Sequence, residues 1–242
     1  MAEPLFTGVG VALVTLFDRD GRVRAGATAE HAAGLVERDV RAVLLAGTTG
    51  EAARLTLEDR LELLRAAREA LGERVPLVVG TGQDNVEAAM RMTRAVAAAG
   101  ADAAIALTPA GEDDPRGYYE SVVEAGEGMP VLGYHYPAVS APGIDVEALA
   151  DLPIAGLKDS SGDADRLLRE LDAFDRPLYV GSAAYLSLAG PLGATGAILG
   201  LANTQPELCA AAFGGDHDAQ RALVAHHLEM RRDFPDGLKP RA

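Results

Sequence analysis

Lys158 is the residue whose type is hardest to explain by ordinary surface chemistry. The chain has 22 lysine and arginine residues, and only Lys158 and Lys239 are lysines. Lys158 ends the apolar segment "IAGLK". A lysine amine can lose its proton and attack a carbonyl carbon, which a guanidinium cannot, and burial favours that neutral form. A lysine that reaches solvent from a strand end is the alternative, but the rarity of lysine here favours imine chemistry.

Three further side chains could assist such an amine. Tyr134 ends the preceding apolar run, "PVLGYHY", and a phenol beside an iminium carbon can pass protons. Thr48 and Thr49 belong to "GTTGE", where glycine amides and hydroxyls can form a nest for a carboxylate. Each pattern also has a structural interpretation, namely an aromatic side chain packed at a barrel mouth and a turn capped by threonines.

The remaining reactive residue types do not suggest a second centre. Of the five histidines, only His226 and His227 are close in sequence, on a late helix where we expect them to face solvent, and no HxH or HxxxH spacing occurs. Cys209 is the single cysteine, and we interpret it as a small buried residue. The sequence therefore predicts neither a metal site nor an organic cofactor.

Eight short apolar runs alternate with helical segments along the chain. The runs cover residues 9–16, 42–47, 76–82, 103–109, 130–136, 154–158, 177–182 and 196–202. Amphipathic periodicity or capping residues predict helices over residues 27–38, 56–71, 84–99, 115–126, 145–150, 163–173, 183–190 and 205–232. Eightfold strand–helix alternation predicts a parallel (β/α)8 TIM barrel of class α/β. An open doubly wound sheet is the alternative, and the absence of a GxGxxG motif argues against it.

Length and charge limit the class of protein. We expect residues 1–242 to form one barrel domain, with residues ~205–242 supplying the last helix and a short tail. A formal net charge of −14 argues against nucleic-acid or anionic-membrane partners. A single cysteine, together with an N-terminus unlike a secretory signal, predicts a cytoplasmic protein.

In order along the chain, "GTTGE", "YHYP", "GLKDSSGD" and "LANTQPE" resemble segments of the dihydrodipicolinate synthase / N-acetylneuraminate lyase family. That family consists of class I aldolases and lyases on a (β/α)8 barrel, usually tetrameric. The resemblance implies that Lys158 forms an imine with pyruvate or a related 2-oxo acid and that Tyr134 transfers protons. It also implies that Thr48 and Thr49 hold the acid's carboxylate, with Thr48 also relaying protons, while Gly181 and Ile198 line the pocket.

Three features depart from the family's synthases. Ala110 stands where they have a relay tyrosine, and residues 138–143 lack their arginine for the aldehyde's carboxylate. The family's C-terminal helical extension is largely missing. We therefore expect a synthase-like lyase with an unassigned aldehyde acceptor, needing no cofactor beyond the covalent imine, and a homo-oligomer (dimer or tetramer). The alternatives are a degenerate member that binds a 2-oxo acid without turnover and a genuine 4-hydroxy-tetrahydrodipicolinate synthase. Tyr136 could replace the missing relay hydroxyl, as could a water molecule.

Overall fold

Eight parallel strands close into a barrel in chain order in the computed structural model, which describes residues 3–240. The strands are β1 (Gly8–Ala12), β2 (Val43–Leu45), β3 (Leu77–Gly80), β4 (Ala103–Leu107), β5 (Val131–His135), β6 (Gly156–Asp159), β7 (Leu178–Val180) and β8 (Gly196–Leu199). Each strand overlaps one of the eight predicted runs. The predicted (β/α)8 barrel is confirmed, and the open sheet is excluded because β1 pairs with β8.

Helices follow the strands, as expected for a parallel barrel. They are α1 (Ala25–Val36), α2 (Leu57–Leu71), α3 (Val86–Ala98), α4 (Arg116–Ala125), α5 (Ala164–Ala173), α6 (Leu186–Ala189), α7 (Pro206–Phe213) and α8 (His217–Arg232). Two differ in kind from the prediction. The segment at 145–150 is a 3-10 helix, Val146–Asp151, and the helix expected over 183–190 is reduced to the short α6.

The long helix expected over 205–232 is wrong, because two helices occupy that stretch. The helical pattern continues through the sequence, but α7 ends at Phe213 and Gly215 adopts φ +99°, a conformation that breaks the helix. Asp216 then caps α8 by accepting hydrogen bonds from the amides of Asp218 and Ala219. The helix predicted over 84–99 begins at Val86, because the Asn85 side chain caps α3 by accepting a hydrogen bond from the Ala88 amide.

The barrel separates two layers of core. Inside it, side chains such as Leu44, Ile105 and Leu132 pack together, and Phe6 stacks on Tyr179 with ring centres 4.6 Å apart. A larger apolar layer fills the space between the strands and the helices. Because successive strand residues alternate between these layers, position in a strand decides which side chains reach the barrel interior.

The C-terminal segment packs against the loop that follows β2. Leu238 is buried in a 3-10 helix, Asp236–Leu238, and the Lys239 ammonium lies 2.8 Å from the Glu51 carboxylate and 2.6 Å from that of Asp236. Lys239 thus holds the end of the described chain next to "GTTGE". Across residues 3–240 no helix combines the length and apolar character needed to cross a bilayer.

Candidate active site

A cavity of about 440 Å³ opens at the carboxyl ends of the strands. Parallel topology brings these ends together, so residues far apart in sequence can meet there. All six side chains or backbone positions predicted for the site line this cavity: Thr48, Thr49, Tyr134, Lys158, Gly181 and Ile198. The structure therefore brings the six predicted residues together in one cavity.

Lys158 lies on β6 inside the barrel. Its backbone pairs with Tyr134 on β5 and Tyr179 on β7, both of which point into the interior core. Lys158 is only 4% exposed, and its Nζ stands 4.3 Å from the centre of the Tyr134 ring. Among residues 3–240, no side chain forms an ion pair or a hydrogen bond with this ammonium. Buried lysines are normally paired, so an unpaired one beside a cavity is available for chemistry.

Tyr134 is held in place through a buried tyrosine on α4. The Tyr119 hydroxyl accepts a hydrogen bond from the Tyr134 amide at 3.2 Å and donates one to the Ala106 carbonyl at 3.0 Å. With its proton donated to Ala106, it accepts a second hydrogen bond, of 2.9 Å, from the Thr108 hydroxyl. Burial raises the pKa of Tyr119, which keeps the hydroxyl protonated and able to donate. The end of β5 is therefore fixed by a side chain outside the cavity.

The loop "GTTGE" presents Thr48 and Thr49 to the cavity, with Thr49 buried and Thr48 partly exposed. The Thr15 hydroxyl donates to the Gly50 carbonyl at 2.7 Å and connects this loop to the segment after β1. Glu51 has φ 58°, the left-handed region, and receives the Lys239 ammonium. Burial raises the pKa of Glu51, but hydrogen bonds from Lys239 and Arg54 outweigh it, so the net shift is downward. A charged anchor thus fixes the loop.

Buried Arg60 supports the same loop from α2. Its guanidinium donates to the Ala52 carbonyl at 2.7 Å and to the Gly80 carbonyl at the end of β3. One side chain that the sequence analysis did not single out therefore connects the residue after "GTTGE" to the end of β3. Burial lowers the pKa of Arg60 to about 10, which leaves the guanidinium charged at neutral pH.

Gly181 directly follows β7, whereas Ile198 lies within β8 and points into the barrel. Gly181 approaches Ser160 so closely that a methyl group would not fit. Ser160 and Ser161 also line the cavity, and Asp159 fixes Ser161 by accepting bonds from its amide at 2.7 Å and its hydroxyl at 2.8 Å. The serines of "KDSSG" thus add hydroxyls to the site.

Helix α8 contributes residues that a search of strand ends could not find. His227, Met230 and Arg231 line the cavity from this helix. The expectation that both late histidines face solvent is wrong, because both are partly buried, and α8 folds back over the barrel mouth so that His227 lines the cavity. Tyr136 also lines the cavity and stacks on Tyr134, with ring centres 5.9 Å apart.

The single cysteine and the possible metal ligands add no further reactive centre in the described part of the chain. Cys209 is buried on α7, as expected, and burial raises the pKa of its thiol to about 12. No group of three or more histidine, cysteine, aspartate or glutamate side chains in the described part of the chain could hold a metal ion. The cavity itself offers an amine, phenols, hydroxyls, an imidazole and a guanidinium.

The comparisons with known proteins all indicate the same family. The sequence profile of the dihydrodipicolinate synthetase family matches residues 5–233. A 4-hydroxy-tetrahydrodipicolinate synthase of Thioalkalivibrio sulfidiphilus is 34% identical over 244 residues, which cover 95% of this chain and 83% of that protein.

Solved structures show the same relationship. A dihydrodipicolinate synthase of Acinetobacter baumannii, solved in complex with pyruvate, superposes with a TM-score of 0.85 at 26% identity, covering 95% of this chain and 84% of that one. A dihydrodipicolinate synthase of Bacillus anthracis gives a TM-score of 0.84 at 26% identity, with 96% and 85% covered. The chain therefore belongs to the dihydrodipicolinate synthetase family, whose members are lyases of the class I aldolase type.

Proposed function

We propose that the protein is a class I aldolase or lyase that binds pyruvate or a related 2-oxo acid as an imine on Lys158. The observation that supports this most is the environment of Lys158, a buried lysine with no partner among residues 3–240, at a cavity and against the Tyr134 ring. No carboxylate among residues 3–240 holds this amine in an ion pair, so it can approach the carbonyl carbon of a bound acid. The relative that was solved in complex with pyruvate supports the substrate class.

The chemistry follows from these groups. The Lys158 amine adds to the C2 carbonyl of the acid, and loss of water gives the imine. The protonated imine withdraws electrons from C3, which can lose a proton to form an enamine that attacks an aldehyde carbon; the reverse sequence cleaves a carbon–carbon bond. Tyr134 donates a proton to the oxygen on C2, which leaves as water, and moves protons at the oxygen of the second substrate. Thr48 and Thr49 hold the carboxylate of the 2-oxo acid through hydroxyl and amide donors.

Tyr136 is our candidate for the relay hydroxyl that Ala110 does not supply. It lies at the cavity and stacks on Tyr134, whereas Ala110 is exposed and lies outside the cavity lining. Burial and the neighbouring Tyr134 raise the pKa of Tyr136, although the Arg231 charge opposes the shift. A protonated Tyr136 can pass a proton towards solvent. Tyr136→Phe should lower turnover more than pyruvate binding, and an unchanged turnover number would exclude this role.

Reductive trapping tests the imine directly. Borohydride is added with pyruvate, and peptides are mapped by mass spectrometry; we expect an adduct on Lys158. Lys239 is an internal control because it is the only other lysine in the chain, and it should remain unmodified. Lys158→Arg should abolish both adduct and turnover. Failure of every 2-oxo acid tested to label Lys158 would refute the proposed chemistry.

Two alternatives separate on turnover. A protein that binds a 2-oxo acid without turnover, an idea motivated by Ala110, would form the imine yet fail to exchange the methyl protons of pyruvate in D₂O. A 4-hydroxy-tetrahydrodipicolinate synthase, the name of the bacterial relative, would consume pyruvate only with that enzyme's aldehyde. Screening aldehydes with pyruvate identifies the acceptor, and exchange without any acceptor would still support the lyase class.

Assembly and location are further proposals. We propose a homo-oligomer (dimer or tetramer), since α6 and α8 expose apolar side chains at Leu188, Val224 and Leu228. Light scattering of the purified protein tests this, and a monomer at micromolar concentration would refute it. The cytoplasm remains our predicted location, and fractionation of cells that express the protein would test it.

A further inference from the structure

The cavity contains a second cationic group that the proposed chemistry does not use. We propose that Arg231, with His227 one turn earlier on α8, binds an anionic terminus, carboxylate or phosphate, at the end of the ligand farthest from Lys158. This inference rests on the proposed function, because it takes Lys158 as the position of the ligand's carbonyl carbon. It concerns which 2-oxo acids or acceptor aldehydes the site prefers.

The geometry of α8 brings the two side chains to one surface. Residues four apart lie on the same face of a helix, and both His227 and Arg231 line the cavity that contains Lys158. The Arg231 charge reaches its neighbours: the pKa of His227 is lowered by burial and then by Arg231, and Arg231 also counteracts the upward pKa shift of Tyr136. The guanidinium therefore belongs to the electrostatic environment of the cavity.

Neither side chain is satisfied by the protein. Arg231 forms no ion pair and no side-chain hydrogen bond within residues 3–240, although arginines such as Arg38 and Arg176 form several. The buried Nδ1 of His227 also lacks a hydrogen-bond partner in the described chain. Buried polar atoms are nearly always paired in folded proteins. Arg231 is thus the lining side chain whose guanidinium, unpaired within residues 3–240, can donate to a ligand with acceptor oxygens, and His227 stands beside it on the same face of α8.

The charged residues that line the cavity also favour an anionic ligand. The chain carries 36 acidic residues and a formal net charge of −14, but no aspartate or glutamate is among the residues that line the cavity. The basic side chains of its lining are Lys158, Arg231 and His227. A strongly acidic protein repels anions at long range, so this local exclusion of acids makes the cavity the part of the surface suited to receive them.

The two cationic groups differ in depth, which defines the orientation of the ligand. Lys158 is 4% exposed at the end of β6, whereas Arg231 is exposed on the last turns of α8, at the cavity mouth. A single carboxylate beside the carbonyl would bind near Lys158 and the threonines. The Arg231 fork would then meet a second anionic group on a longer 2-oxo acid or on the aldehyde.

Pairs of 2-oxo acids of equal chain length test the inference. Calorimetry would compare 2-oxoglutarate with 2-oxopentanoate, and 2-oxoadipate with 2-oxohexanoate, on the full chain and on two variants. Arg231→Ala is the test variant, and Arg232→Ala is the matched control because Arg232 is exposed and lies outside the cavity lining. We expect a distal carboxylate to improve Kd by about 10-fold or more, Arg231→Ala to remove that advantage, and Arg232→Ala to keep it.

A phosphate arm distinguishes the two anions. Glyceraldehyde 3-phosphate and glyceraldehyde would be compared as ligands of the pyruvate-treated protein, with the same variants; an Arg231-dependent preference confined to this pair would assign phosphate. Equal effects of Arg231→Ala on charged and neutral ligands, or no preference in the unmodified protein for either anion, would overturn the inference. Borohydride trapping of pyruvate is scored separately, so loss of the Lys158 adduct would refute the proposed function while the charge preference is still measured.

Discussion

Replacing Gly181 by alanine should disturb the site through one steric contact. A Cβ at Gly181 would lie 1.9 Å from the Ser160 Oγ, 2.9 Å from its Cβ and 3.1 Å from the Asp159 carbonyl oxygen. Carbon atoms in favourable contact are roughly 3.5–4.0 Å apart, so Ser160 must move. Gly181 is not among the glycines with positive φ. Lack of space, and not backbone strain, is therefore the reason why the alanine should lower stability. Overpacking of this kind typically costs about 1–3 kcal/mol.

A second substitution in the same contact should reverse much of that loss. Ser160→Gly removes both side-chain atoms that the new methyl group meets and leaves only the Asp159 oxygen at 3.1 Å. A double-mutant cycle should therefore give a favourable coupling of about 1–2 kcal/mol. Gly34→Ala is the matched control, because a Cβ at this exposed position of α1 meets nothing within 4 Å; it should stabilise by about 0.5–1 kcal/mol.

Two assays follow the cycle. Urea unfolding gives the free energies, and borohydride trapping with pyruvate reports whether Lys158, two residues before Ser160, remains reactive. We expect Gly181→Ala to slow trapping and the double variant to recover part of the rate. If Gly181→Ala is as stable as the parent, or if the two substitutions are simply additive, the steric explanation of this glycine is wrong.

Three other side chains give predictions of stability or reactivity. Burial, then the Arg166 charge, lowers the pKa of His135 to about 4 from 6.5. Between these two pH values the unfolded chain binds the proton more strongly than the folded chain does. Protonation of this histidine should therefore lower the free energy of unfolding by about 2 kcal/mol as the pH falls from 6.5 to 4.5. His135→Asn should reduce this pH dependence, measured by urea unfolding. Lys239→Met should lower the unfolding free energy by about 1 kcal/mol, since its ion pairs are partly exposed; an unchanged value would refute the anchoring role. Buried Cys209 should react with a thiol reagent only as fast as the protein unfolds, and immediate labelling would contradict its placement.

The predicted part of the site depended on a simple topological rule. Once the runs ending at Tyr134 and Lys158 are parallel strands of one barrel, their ends must meet, and the register pairs these two residues directly. The same rule places "GTTGE" at that end of the barrel. These predictions needed only strand positions to within a few residues, which explains why they tolerated runs longer than the observed strands.

The residues that were missed depend on how helices pack, which periodicity does not reveal. The helical pattern over 205–232 does not specify where α8 lies after the break at Gly215, and its return across the barrel mouth is what brings Arg231 to the cavity. Tyr119 likewise appears in the sequence as one aromatic residue of an amphipathic helix. Its contact with the Tyr134 amide exists only because α4 packs against β5.

The two lysines show how the surroundings decide the function of one residue type. Lys239 stands between Glu51 and Asp236, whose hydrogen bonds raise its pKa against the opposing effect of burial, so its charge is used to fix a loop. Lys158 is more deeply buried, and no aspartate or glutamate is among the residues that line its cavity. In a chain with 36 acidic residues, a cavity lined by none of them is suited to anionic ligands, and it leaves the Lys158 amine without a carboxylate beside it. An accessible amine and room for an anion are two requirements for forming an imine with a 2-oxo acid.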